Sequence, residues 1–103
     1  MNSIITKIAG VSFGSCQRNI KYLGNPGINT FDLKREPMNP HDPNAVWVGF
    51  GKYQLGYLPK HVAKTIAVFM DAGKKIIAEF VSVNRSPFHD TVGMTVKLIE
   101  INN

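Results

Sequence analysis

The side chains able to do acid–base, nucleophilic or metal chemistry are few in this chain and widely separated. The histidines, His41, His61 and His89, show no HxH or HxxxH spacing of the kind that brings two imidazoles onto one ion. The single cysteine, Cys16, lacks a recognisable nucleophile context and excludes an internal disulfide. The carboxylates are no better paired: Asp42 and Asp90 fall in different predicted loops, and Asp32 and Glu36 straddle a predicted strand end. No Walker-type run is present, and Gly49, Gly51 and Gly56 do not compose a GxGxxG fingerprint. These spacings argue against an enzyme, a structural metal and a cofactor.

Two other groupings carry chemistry of a binding kind. In Pro37-Met38-Asn39-Pro40-His41-Asp42-Pro43-Asn44, each residue preceding a proline is driven out of the α region, so the loop is stiff. It holds an imidazole and a carboxylate side by side. Asp42 serves either as a turn former, bonding the backbone two residues on, or as an acceptor for a hydroxyl. Beside a phosphodiester a carboxylate is repelled, so the second reading makes sense only where a strand ends in a free hydroxyl. The second grouping is a helix start. Pro59 takes the first helical position, Leu58 before it has no side-chain oxygen to cap with, and the amides of Lys60, His61 and Val62 are left without a local partner. Water satisfies such amides, and so does a phosphate oxygen. Lys60, with Lys64 one turn along on the same face, favours the phosphate.

The elements that position these groups are mostly strands. Ser3–Phe13 is rich in β-branched residues, with Ile4 and Ile8 on one face and Ile5, Val11 and Phe13 on the other, which predicts a strand partly buried on both sides. Gly14 to Gly27 reads as a loop, with a helical turn in Gln17–Leu23. Further strands are expected at Ile28–Arg35, Ala45–Phe50, Tyr53–Leu58, Lys75–Asn84 and Val92–Ile101, the third and fourth strands joined by a turn over Gly49–Lys52 and the last two by one containing Pro87. A helix over residues 59–72 turns Val62, Ile66, Phe69 and Met70 inward and stops at Gly73. The order β-β-β-β-α-β-β predicts a mainly β fold: a small six-stranded barrel with one principal helix, formed by residues 1–103 as a single domain.

The formal charge of +5 is uneven, with four lysines against Asp71 alone between Pro59 and Lys75. Such a balance fits an anionic partner, nucleic acid foremost, or a solvated basic surface. No apolar run approaches the ~18 residues of a membrane span, and the lone cysteine fits a reducing, cytoplasmic setting.

Over Glu36 to Gly73, the run Glu-Pro-Met-Asn-Pro-His-Asp-Pro-Asn-Ala-Val-Trp-Val, the short hairpin, Leu-Gly-Tyr-Leu-Pro-Lys and the helix ending Met-Asp-Ala-Gly resemble the HIRAN domain, and Ile8–Phe13 is similar too. The resemblance implies an OB-like barrel with added helical elements. It also implies binding of single-stranded DNA at a free 3′-hydroxyl, in DNA repair or replication-fork processing, often beside Swi/Snf-type ATPases. A stand-alone bacterial or phage module suits the length. Carried over by position, Phe13 and His41 clamp the terminal base, Asp42 meets the 3′-hydroxyl, and Asn39 supports the loop or touches the last nucleotide. Tyr57 and Lys60, with the helix start at His61 and Lys64 behind them, meet the phosphates. His41 stands where the family pattern has a tyrosine, Tyr57 where it has a histidine, and Ser12 where it has an arginine. The competing expectation is a protein-interaction module that recruits a helicase-like ATPase or a nuclease through a sheet edge or the Trp47 and Phe50 surface.

Overall fold

The computed structural model describes residues 1–24, 27 and 29–101. Among them the order is β1 (Ile4–Lys7), α1 (Cys16–Leu23), β2 (Thr30–Arg35), β3 (Val46–Phe50), β4 (Tyr53–Tyr57), α2 (Lys60–Asp71), β5 (Lys75–Ser86) and β6 (His89–Ile101). The strands form one antiparallel sheet in the order β1-β6-β5-β2-β3-β4, coiled into a half-barrel. Among the described residues, its two edges are bridged at a single residue pair. The amide of Ala9 donates to the Tyr57 carbonyl at 2.7 Å, and the amide of Tyr57 donates to the Ala9 carbonyl at 2.8 Å. Gly56 makes that approach possible, because a Cβ there would lie 2.4 Å from the Ala9 carbonyl oxygen.

The mainly β fold of six strands with a principal helix is therefore as expected, the barrel taking the form of a half-barrel, and α2 covers the predicted helical span. Val62 and Ile66 are buried, with Phe69 and Met70 packed half-buried against the same core. The helix ends in a Schellman motif: Gly73 at φ 86° donates to the Met70 carbonyl and Lys74 to that of Phe69, both at 3.0 Å. Pro59, however, is the N-cap rather than the first helical residue, since its ψ of 148° is extended.

The first strand is shorter than predicted. It stops at Lys7, leaves Ile5 66% exposed and so buries one face only. Beyond it, Gly10 and Gly14 take positive φ of 67° and 49°, which bends the chain and puts Phe13 in a turn instead of a strand. The helical turn expected in Gln17–Leu23 is a full helix, α1, in which Cys16, Ile20 and Leu23 recur at i, i+4 and i+7 and are buried. β2 begins at Thr30; the start expected at Ile28, and the turn residues Asn25 and Pro26, lie outside the described residues. The last hairpin is longer than predicted. Ser86 pairs with His89 across Pro87 and Phe88, so Asp90 belongs to a strand and not to a loop.

Candidate nucleic-acid interface

Where the sheet edges meet, a groove of about 480 Å³ opens between two lips. One lip is the turn after β1, with Ala9, Gly10 and Phe13; the other is the proline-rich loop, with Asn39, His41 and Asp42; Tyr57, Leu58 and Lys60 lie between them. Six of the eight predicted site residues thus line one surface. His61 and Lys64 do not: both are exposed on α2, outside the groove lining.

Phe13 is 72% exposed. Its turn is held by backbone bonds from Phe13 to the Gly10 carbonyl at 3.1 Å and from Cys16 to the Phe13 carbonyl at 2.9 Å. Gln17 braces the same turn from behind. Its side-chain amide donates to the Val11 and Val92 carbonyls and accepts from the Val92 amide, each at 2.8 Å. A glutamine in a short helix carries no pattern by which sequence alone would reveal this.

The opposite lip is stiffened by its prolines and by side chains bonded to its own backbone. The Asn39 Oδ1 accepts from the amides of His41 at 2.9 Å and Asp42 at 3.2 Å. Asp42 Oδ1 accepts from the Asn44 amide at 2.8 Å, which is the turn-forming role. Its Oδ2 has no hydrogen-bond partner among the described residues, so the hydroxyl-accepting role stays open on the same side chain. Behind the loop, Arg35 binds Asp71 through two bonds of 2.9 and 3.2 Å, and its third nitrogen donates to the Pro43 and Ala45 carbonyls at 3.1 Å. The guanidinium holds the Asp71 carboxyl below its ordinary range. Any stability from this solvent-exposed pair is present above that ordinary range and lost as acid carries the pH down through the lowered value.

At the floor, the Tyr57 hydroxyl donates to Glu36 Oε1 at 2.8 Å. Burial, reinforced by this bond, pushes the phenol above its usual range. The hydroxyl proton is thus already engaged and not available to a phosphate, which changes the part expected of Tyr57. Beside it the helix start offers two amides, of Lys60 and His61, with no partner among the described residues. The expected third is satisfied: Val62 and Ala63 both donate to the Pro59 carbonyl, at 3.0 and 2.8 Å. The ion pairs among the described residues are Met1 with Glu100 and Arg35 with Asp71, so the Lys60 ammonium at the groove is unneutralised. No three His, Cys, Asp or Glu side chains among the described residues gather as a metal site would require, and no helix there is long and apolar enough to cross a membrane.

Comparison with known proteins bears on this arrangement. A family model described as the HIRAN domain matches residues 1–99. Among solved structures, the HIRAN domain of human HLTF is similar at 24% identity, over 96% of this chain and 74% of that one, with a TM-score of 0.66. A protein from Lactobacillus plantarum is similar at 18% identity, over 96% and 97% of the two chains, with a TM-score of 0.68. At these identities the structures speak to the fold. No curated protein sequence gives a significant match.

Proposed function

That the chain belongs to the HIRAN domain family, a family of DNA-binding domains, is the premise from which we propose that it grips the 3′ end of single-stranded DNA and breaks no bond. The observation that carries this reading is the pairing of an exposed aromatic lip with a stiff loop whose carboxylate keeps one oxygen free. A terminal base lies against Phe13 and the His41 ring, and stacking contributes about 1–3 kcal/mol per base. The free Oδ2 of Asp42 accepts from the 3′-hydroxyl. Phosphates upstream meet the Lys60 ammonium and the open amides of Lys60 and His61, with Lys64 adding a more distant, screened charge. Tyr57, its hydroxyl given to Glu36, supplies floor and shape instead of a phosphate contact. A role in repair or fork processing, beside a helicase-like ATPase or nuclease, is the setting in which such an end-gripping module acts.

The test is a polarisation titration at low salt with matched oligonucleotides ending in a 3′-hydroxyl or a 3′-phosphate. Tighter binding of the hydroxyl end is the expected result, and equal affinity for both ends would rule out end reading. Absence of any binding would instead favour a protein-interaction role through a sheet edge or the Trp47 and Phe50 surface, where Phe50 is exposed beside Tyr53 across the β3–β4 turn and Trp47 is half-buried. Lys60→Ala is expected to weaken binding to every sequence alike and to lower the slope of log affinity against log salt by about one unit; an unchanged slope would move the phosphate path elsewhere.

A further inference from the structure

One carboxylate connects the two lips, and no role in binding is otherwise given to it. Glu36 follows β2 at the base of the proline-rich loop, where its amide donates to the Ala45 carbonyl and its carbonyl accepts from the Asn39 amide, both at 3.0 Å. Its side chain is half-buried, and a single oxygen, Oε1, accepts from the Tyr57 hydroxyl at 2.8 Å and from Asn39 Nδ2 at 3.0 Å. Tyr57 is also the residue whose backbone closes the sheet against Ala9, at the root of the Phe13 lip. Asn39 is the residue whose Oδ1 holds the amides of His41 and Asp42. A continuous path of hydrogen bonds therefore runs from the first lip, through Tyr57 and Glu36, to the second.

From this the structure assigns to Glu36 the part of a positioning residue that sets the orientation of Asn39, and through it the placing of the Asp42 carboxylate against a strand end. The assignment rests on the end-binding reading above. An ionised carboxylate only accepts, so both neighbours must present donors to it. That condition turns the Asn39 amide with Nδ2 toward Glu36, which leaves Oδ1 facing the two loop amides. Without Glu36 the two loop amides still draw Oδ1, but Nδ2 has lost its acceptor and the Asn39 amide plane is held from one side only. The two inner bonds then loosen, while the prolines and Arg35 still hold the outline of the loop. What is lost is the aim of Asp42, not the fold and not the charge at Lys60.

The experiment compares the hydroxyl-over-phosphate affinity ratio of Glu36→Ala, Glu36→Gln and Tyr57→Phe with that of the full wild-type chain. Glu36→Ala is expected to reduce the ratio about tenfold, as the loss of a charge-assisted hydrogen-bond network should, with the salt slope set by Lys60 unchanged. Glu36→Gln, which can offer its Oε1 to the same donors, should restore most of the ratio. Tyr57→Phe, a conservative change that keeps the ring, should lower the ratio in part, and adding it to Glu36→Ala should lower it no further. Variants of Glu36 and Tyr57 that keep the wild-type ratio overturn the assignment alone. A wild type that shows no ratio overturns the end-binding reading and this assignment with it, and is seen before any variant is compared.

Discussion

Replacing Gly56 by alanine is expected to lower the unfolding free energy by about 2–4 kcal/mol, combining overpacking with the loss of about two hydrogen bonds. The added methyl would sit 2.4 Å from the Ala9 carbonyl oxygen, a backbone atom that cannot swing aside as a side chain would, with Ile8 and Val11 at 3.4 and 3.5 Å closing the other directions. The carbonyl it strikes is the acceptor for the Tyr57 amide, so relief of the clash opens the pair that bridges the sheet edges. For a domain of about a hundred residues this corresponds to a fall in Tm of roughly 10–25 °C, readable by thermal or urea denaturation. Gly93→Ala is the control: a methyl there meets only the Asn84 side chain, at 3.8 Å, and should leave the midpoint nearly unchanged. Because Ala9 and Tyr57 root the groove, single-strand affinity should fall with stability in Gly56→Ala. An unchanged midpoint would mean that the edges do not need this pair.

The same region shows what sequence patterns carry and what they miss. The proline-rich loop and the helix behind Pro59 were legible because their constraints are local: proline fixes φ wherever it stands, and Val62, Ile66, Phe69 and Met70 recur at the helical period. Six groove residues were likewise legible, chiefly through the resemblance of Glu36–Gly73 to a known family. The end of β1 was not, because the β-branched run continues past Lys7 to Val11 while Gly10 and Gly14 bend the backbone through positive φ, and tertiary contact rather than propensity settles which wins. α1 was legible only as a helical turn within a loop, for a related reason. Its buried face has only Cys16, Ile20 and Leu23, set among glycine, serine and asparagine that read as loop. Glu36 and Gln17 were the hardest, since their importance lies in which distant atoms they reach: Tyr57 lies 21 residues from Glu36, and Val92 lies 75 from Gln17. A carboxylate three residues before Asn39 in a tight loop was the one available hint of the first. His61 and Lys64, expected behind Lys60 on the phosphate path, are exposed on the helix, but the groove admits only Lys60 from it.

Asp42→Asn should give the largest change in ligand preference of any single substitution, and it separates the two roles that the side chain can play. Asparagine retains an Oδ1 that can accept from the Asn44 amide, so the turn that Asp42 makes at 2.8 Å is preserved and stability should change little. At the second position an acceptor oxygen becomes an NH₂ donor. Against a 3′-hydroxyl this removes a charge-assisted bond of about 1.5–3 kcal/mol, less where water reaches the site. Against a 3′-phosphate it removes a repulsion and adds a donor, so binding of that end should improve. The two shifts have opposite signs and add in the ratio, so the hydroxyl-over-phosphate preference should drop by roughly tenfold or more. Stacking on Phe13 and the contact at Lys60 are common to both ends and cancel. Asp42→Ala makes a useful contrast, because it also removes the acceptor for Asn44 and should loosen the loop, weakening both ends together. Matched oligonucleotides titrated against wild type and both variants would read all of this. Equal loss on both ends in Asp42→Asn would show that Asp42 matters through the shape of its loop, and that the carboxylate does not read the terminus.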